Sequence, residues 1–217
     1  MSLSRLLSLA ATTLLVILAA ASQAQLSSSM ADPDAIEEDW VLVIANPNPL
    51  EVGPQITTVM SPVADASAPR IAFDLNYREF PSFSPGGMQV QVWSNGEVGG
   101  IAGQGGGLFS TANEVVTWTQ QMSISNGTLL YDVGRGQSTT WGNFGQGDNL
   151  HVSVPTNLTS MAAYQPQVSA NRSGASWQAN HVSTLTLKQV RYLANGQIIW
   201  TDTNPRVIVD NTDQSVN

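Results

Sequence analysis

The sequence contains no cysteine. Disulfide staples, thiolate metal sites and a cysteine nucleophile are thereby excluded, and stability has to come from burial and hydrogen bonding. Strong cations are nearly as scarce, with eight Lys and Arg against sixteen Asp and Glu and a formal net charge of −8. Lys188 is the single lysine. Such a surface repels polyphosphate, which argues against nucleic acid as a partner. Histidine occurs only at positions 151 and 181. Zinc takes three or four ligands, so without thiolates His151 and His181 would need carboxylates carried to them by folding. Both sit at or near expected strands among polar or small neighbours, and they read as surface or half-buried residues.

Long apolar runs are missing too, apart from one at the start. Residues 1–5 carry one positive charge, residues 6–20 are almost unbroken apolar sequence, and Ser22-Gln23-Ala24 supplies small residues for cleavage. The run is about 15 residues, short of the roughly 20 that a bilayer span requires, so it reads as a signal peptide at 1–24. The expected product is secreted to a periplasm or the cell exterior, with no membrane attachment once the signal is cleaved. Loss of Arg5 makes it one unit more negative. The remaining residues suffice for one core without covalent staples. They divide on composition into a flexible acidic leader at 25–38, a β-sandwich domain at 39–212 and a tail at 213–217.

Helical periodicity is almost absent, which excludes an open parallel sheet with its crossover helices. What is present is alternation. Ile71, Phe73, Leu75 and Tyr77 oppose Ala72, Asp74 and Asn76, and Met88, Val90 and Val92 oppose Gln89, Gln91 and Trp93. Val116, Trp118, Met122 and Ile124 oppose Thr117, Thr119, Gln121 and Ser123. A period of two marks strands with one face buried and the other wet. Asn126-Gly127 and Asn195-Gly196 suit type I′ hairpins, whose two central residues need positive φ. The change of apolar parity at Lys188-Gln189 predicts a β-bulge in a strand at 182–193. Further strands are expected at 40–44, 55–60, 139–144, 150–154, 197–201 and 206–209, about eleven or twelve in all. Only 158–163 suggests a helical turn, ahead of Pro166. The expected fold class is all-β, an antiparallel β-sandwich of jelly-roll or concanavalin A-like kind, with a closed barrel as the alternative.

Motifs for most chemistries are lacking. The glycines at 99–107 lead into Leu108-Phe109-Ser110 with no lysine nearby, so they make no phosphate loop and read as a mobile loop. No G-x-S-x-G nucleophile elbow occurs. Retaining β-sandwich glycosidases often carry paired acids at alternate positions of one strand. No such pair falls within an expected strand here, which leaves Glu97, Glu114 and Asp132 as isolated acids. Calcium takes six to eight oxygen ligands, and no EF-hand pattern is present. The weak candidates for a structural calcium are Asp148 with Asn149, Asp202 with Asn204, and Asp210 with Asn211 and Asp213. No other cofactor is implied. Arg78 and Arg191 read as partners for nearby acids. Six tryptophans remain. Aromatic rings stack on the apolar faces of sugars while Asn, Gln and Asp bond the hydroxyls. Trp118 falls in the apolar register of its strand, but Trp93 shares a face with Gln89 and Gln91, and Trp141 stands among glycines beside Asn143. Trp93, Trp141, Asn143, Gln91 and Gln89 are therefore the candidate ligand contacts.

Five segments are informative together: Trp40-Val41-Leu42-Val43, Pro54-Gln55-Ile56-Thr57, Phe73-Asp74-Leu75-Asn76-Tyr77-Arg78, Pro85-Gly86-Gly87-Met88-Gln89-Val90-Gln91-Val92-Trp93 and Thr139-Thr140-Trp141-Gly142-Asn143-Phe144-Gly145. With Asn180-His181-Val182 and Val190-Arg191 they resemble an uncharacterised family of exported bacterial single-domain β-sandwich proteins, over most of the mature chain. That family has no assigned activity, so the resemblance implies relatedness and carries over no catalytic residue. More loosely, the length and the strand at 180–191 are similar to concanavalin A-like sandwiches, which include lectins, glucanases and laminin-G-like modules. This second likeness implies a fold only, since the enzymes' paired acids and the legume lectins' metal motif are not found. The functional expectation is an exported, non-enzymatic β-sandwich that binds an extracellular or envelope polysaccharide or a protein partner. The alternatives are a carbohydrate-active enzyme on the same fold, hydrolase or lyase, and a structural component of an envelope or matrix.

Overall fold

Alternating strands bury their apolar faces only against another layer, and here two sheets do so against each other. The computed structural model describes residues 31–47, 55–65, 68–76, 87–94, 97–105, 111–146, 150–176 and 181–213, with backbone alone at 55, 76 and 97–105. The chain divides into two units, Met1–Asp32 and Pro33–Asn217, and the strands belong to the second. The signal at 1–24 lies outside the described residues. The strands described are β1 (Ala35–Ile44), β2 (Gln55–Met60), β3 (Arg70–Asn76), β4 (Gly87–Ser94), β5 (Glu97–Gly105), β6 (Glu114–Ser125), β7 (Thr128–Ser138), β8 (Gly142–Phe144), β9 (His151–Pro155), β10 (Gly174–Ser176), β11 (Val182–Ala194), β12 (Gln197–Asp202) and β13 (Arg206–Asp210). One helix, α1 (Pro166–Arg172), stands between β9 and β10.

An eight-stranded sheet runs β12-β11-β1-β6-β7-β8, with β13 also paired to β11 and β9 to β7. The second sheet is five-stranded, in the order β10-β2-β3-β4-β5. All of these pairings are antiparallel. The protein is an all-β sandwich. No helix among the described residues is long and apolar enough to cross a membrane.

The two inner faces meet over large rings. Phe73 of β3 meets the edge of Trp118 of β6 at 5.7 Å, and Trp118 lies flat on Trp40 of β1, with centroids 6.2 Å apart and planes 6° from parallel. Ile36, Leu42 and Ile44 from β1, Ile56 and Met60 from β2, and Leu185, Leu187 and Val190 from β11 complete a dry interior. Burying each such side chain stabilises by about 1.5–3 kcal/mol.

The turn chemistry places the register. Asn126 and Gly127 have φ of 50° and 73°, and Asn195 and Gly196 have 52° and 73°, so both expected hairpins form. Opposite β1, Gln189 pairs with Asp39 and Leu187 with Trp40, which leaves Lys188 as the extra residue of the expected bulge.

Several expectations differ from what is found. Strand β1 starts at Ala35, inside the stretch expected as leader at 25–38. Its acids disguise a clean register in which Ile36, Glu38, Trp40, Leu42 and Ile44 all face the interior. Residues 99–105 of the glycine-rich stretch belong to β5, paired along β4, instead of forming a loop. Ladder hydrogen bonds need only backbone, so the lack of side chains weakens such a strand without forbidding it. The helical turn expected at 158–163 is replaced by α1, which starts at Pro166. Proline suits the first turn because its missing N–H would have no helical partner there. At the other end, the Ser173 hydroxyl donates to the Ser169 carbonyl at 2.8 Å and accepts from the Val59 N–H at 3.0 Å, pinning α1 to β2. Residues 139–141 are turn, so only Gly142–Phe144 remains of the strand expected at 139–144.

Candidate functional site

The sequence-selected contacts fall on two sheets. Gln89, Gln91 and Trp93 lie along the outer face of β4, where the Gln91 amide donates to Gln89. Arg70, paired with Trp93 across β3 and β4, holds its guanidinium 5.6 Å from the Trp93 ring centroid, so a cation already occupies one face of that ring. Trp141 and Asn143 belong to the other sheet. Trp141 packs edge-on against Phe144 at 5.9 Å and leans on the core, while Asn143 is exposed and lines a shallow hollow with Val115, Thr117 and Gln137. Asp148 and Asn149 lie outside the described residues. The other calcium candidates are used in turns. Asp202 pairs with Arg206 and accepts from the Asn204 N–H, and Asp210 accepts from the Thr212 N–H and hydroxyl. Among the described residues no three His, Cys, Asp or Glu side chains converge to hold a metal ion.

The early start of β1 also creates an acid pair on a strand. Glu37 and Asp39 occupy alternate positions on its outer face. Arg191 bridges them, with Nη2 2.7 Å from Glu37 and Nη1 2.5 Å from Asp39, and Arg135 adds a second contact to Glu37 at 2.7 Å. Gln189 and Thr119 donate further bonds to Asp39 at 2.6 and 2.7 Å. Burial opposes the Asp39 charge, but Arg191 and the two neutral donors outweigh it and hold the carboxyl below its usual range. The hydrogen bonds that the Arg191 guanidinium donates to Asp39 raise its own pKa in turn. The arrangement is a clamp across β1 and β11. Arg191→Met is expected to cost about 1–3 kcal/mol at neutral pH, measured by urea unfolding. The Asp39 part of that loss should fade as pH falls through its depressed folded-state pKa, because the neutral acid has no charge to pair.

No family model matches this chain, and no curated protein matches it either.

The most suggestive geometry is a ladder of rings that runs from the core to the surface. Glu38 is fully buried on the inner face of β1. Its carboxylate accepts from the Trp40 indole N–H at 2.9 Å, the Gln120 amide at 3.0 Å and the Tyr164 hydroxyl. Gln120 accepts in turn from Thr58 of the opposite sheet at 2.9 Å and from Tyr131. Burial pushes the Glu38 carboxyl up to about 6 despite those donors. Burial, together with the Glu38 charge, also raises Tyr131 and Tyr164 well above the usual phenol range.

From Tyr164 the rings continue outward. Tyr192 meets Tyr164 edge-on at 5.8 Å, and Trp200 lies over Tyr192 at 4.6 Å with planes 36° apart. Tyr192 of β11 and Trp200 of β12 are a cross-strand pair. At this edge Trp200 keeps 47% of its surface exposed, and Ile198 on the same strand keeps 57%. Burial, followed by the nearby Asp202 charge, raises Tyr192 to about 12, so it stays neutral at physiological pH.

Polar groups adjoin the rings. Asp202 lies two residues beyond Trp200 on the same face and pairs with Arg206 Nη2 at 2.6 Å. Burial opposes the Asp202 charge, but Arg206 and the Asn204 N–H more than offset it and hold the carboxyl below its usual range. Arg206 then lines a hollow of about 260 Å³ with Gln167 and Asn171 of α1 and Val207 of β13. Sequence reasoning missed this site. The available signal was the run Gln197-Ile198-Ile199-Trp200-Thr201, too apolar for a strand with one wet face yet placed after a hairpin at a sheet edge.

Proposed function

We propose that the protein is an exported, non-enzymatic β-sandwich module that binds a polysaccharide of the envelope or extracellular space on its Tyr192–Trp200 face. The observation that supports this most directly is the half-exposed Trp200 ring, set on Tyr192 two residues before Asp202, whose ion-pair partner Arg206 lines a hollow with Gln167 and Asn171. Pyranose rings present apolar C–H faces to aromatic planes and hydroxyls to amides, carboxylates and guanidinium groups. The site has both, and its Trp is held in place from beneath by Tyr192 and Tyr164 instead of being ordered on binding. Pre-ordering of this kind raises affinity by reducing the entropy lost on association. On this reading the signal at 1–24 directs secretion, and the sandwich is a relative of the concanavalin A-like or jelly-roll modules. Trp93 with Gln89 and Gln91 offers a secondary contact, weakened by the Arg70 already on its ring.

The test is affinity electrophoresis and titration calorimetry against a panel of soluble polysaccharides. Wild-type protein should bind at least one of them, and Trp200→Ala should weaken that binding by at least about tenfold, roughly 1.4 kcal/mol, with an unchanged melting temperature. Equal binding by the two proteins would sink the assignment of the site.

One observation favours a second reading, a carbohydrate-active enzyme. Glu37 and Asp39 share the solvent face of β1 in the alternate spacing that retaining glycosidases use. Against it, both acids are already ion-paired to arginine. Release of reducing ends or unsaturated uronates from the same panel, abolished in Glu37→Gln, would favour the enzyme over the binding module.

A further inference from the structure

The two oxygens of the buried Glu38 carboxylate have different surroundings. Oε2 receives both N–H groups, the Trp40 indole at 2.9 Å and the Gln120 amide at 3.0 Å. Neither donor can reverse its role: an indole nitrogen does not accept, and Gln120 is held the right way round by Thr58 and Tyr131, whose hydroxyls both donate to its oxygen. Oε1 faces the Tyr164 hydroxyl, with Ser169 of α1 beside it. A proton added to Glu38 therefore goes to Oε1, on the line to the Tyr164 oxygen. Two hydrogens do not fit between one pair of oxygens, so the Tyr164 O–H has to turn, and the Ser169 Oγ lies 3.4 Å away to accept it. All three residues are buried, so water does not take over these bonds.

That reversal acts on a residue joined to the surface. The Tyr164 ring meets Tyr192 edge-on at 5.8 Å, and Tyr192 carries the exposed Trp200 ring at 4.6 Å. We infer that Glu38, Tyr164 and Ser169 form a proton-operated switch: a proton taken up at Glu38 turns the Tyr164 hydroxyl to Ser169, and the Tyr164–Tyr192 contact passes the change to Trp200. Burial places the titration of Glu38 at about 6. The other charges that act on the three phenols are Asp74 of β3, Asp132 of β7, and Asp202 with Arg206 beside Tyr192. Arg172 closes α1, and Glu37 and Asp39 lie on the opposite face of β1, bound to arginine. The switch is a property of the fold and holds whatever occupies the Trp200 face. On the binding reading above, it makes the surrounding pH a regulator of that face.

The experiment is an NMR titration of the full mature chain from roughly pH 4.5 to 7.5, following the tryptophan indole N–H signals, each assigned with a Trp→Phe variant. The Trp40 signal, bonded to Glu38, reports the proton directly, and the Trp200 signal reports its transmission. In the wild type both should move with one shared midpoint near 6. Glu38→Gln puts an amide NH₂ where the proton would sit, so its Trp200 signal should hold the wild type's acid position at every pH. Tyr164→Phe should keep the Trp40 step and lose the Trp200 step. Ser169→Ala, which removes the acceptor without touching a ring, should shrink the Trp200 step by at least about half. A Trp200 signal that stays still while Trp40 titrates would overturn the inference, as would a Trp40 signal that does not titrate at all. A Trp200 step that survives in Glu38→Gln would also overturn it, by assigning the titration to another acid such as Asp74 or Asp132. No polysaccharide enters this measurement, so its outcome and that of the binding test are independent.

Discussion

Glu38→Leu is expected to lose about 3–5 kcal/mol of folding stability, because it strands three buried donors at once. The Trp40 indole N–H, the Gln120 amide and the Tyr164 hydroxyl all point at the Glu38 carboxylate, and water does not reach them. Gln120 in turn carries the cross-sheet bond from Thr58, so the damage spreads to the join between the two layers. Glu38→Gln has nearly the same shape and should behave quite differently. Its amide oxygen can still accept from Trp40 and Gln120, and its NH₂ can face the Tyr164 oxygen.

The pair of variants also separates charge from shape. Burial raises the Glu38 carboxyl from 4.5 to about 6, so the folded state holds this proton more tightly than the unfolded chain does. The resulting stabilisation is fully present below pH 4.5 and is lost as pH rises through about 6. A shift of this size is worth about 2 kcal/mol. Wild-type protein should therefore lose about 2 kcal/mol relative to Glu38→Gln between pH 4.5 and neutrality, read as the difference in their urea-unfolding free energies. A constant difference across that range would show that Glu38 keeps one charge state throughout.

The second large effect is in the ring stack. Trp118→Ala should cost about 3–5 kcal/mol, because Trp118 touches Trp40 on one side and Phe73 on the other and neither sheet can collapse into the space it leaves. For a domain of this size that is a fall of about 6–20 °C in melting temperature. Replacement by Phe discriminates between the two tryptophans. The Trp118 indole N–H is buried with no hydrogen-bond partner among the described residues, so Trp118→Phe removes an unmet donor along with part of a ring. The Trp40 N–H serves Glu38, so Trp40→Phe takes a donor away from a buried carboxylate. Trp40→Phe should melt at the lower temperature, and the reverse order in a calorimeter would mean that ring volume alone decides.

These two sites also show what alternation reveals and what it hides. Val116, Trp118 and Met122 were readable as an inner face because a period of two forces every second residue to one side. Gln120 shares that parity, yet its polarity gave no hint of a buried role until Thr58, Tyr131 and Glu38 were seen around it. Glu38 was harder still. Among five acids in the segment 25–39 the apolar alternation is too sparse to mark a strand, and burial of a carboxylate is not expected from composition. The pairing of Arg191 with nearby acids was anticipated, whereas Glu37 and Asp39 as its partners were not, since both fall across β1 and β11 from residues some 150 positions away.

The chain alone determined the local rules: strands from alternation, both Asn-Gly hairpins from their need for positive φ, and the bulge at Lys188 from a change of parity. Each is a property of a few neighbouring residues and is paid in local conformational energy, so it can be read locally. Only the tertiary structure decided which strands lie side by side, that an acidic stretch becomes the centre of a sheet, and that Trp200 is left half uncovered where β12 forms the sheet edge. Those outcomes depend on how two layers overlap, and exposure at an edge is set by the extent of the opposite layer, which no short stretch of sequence encodes.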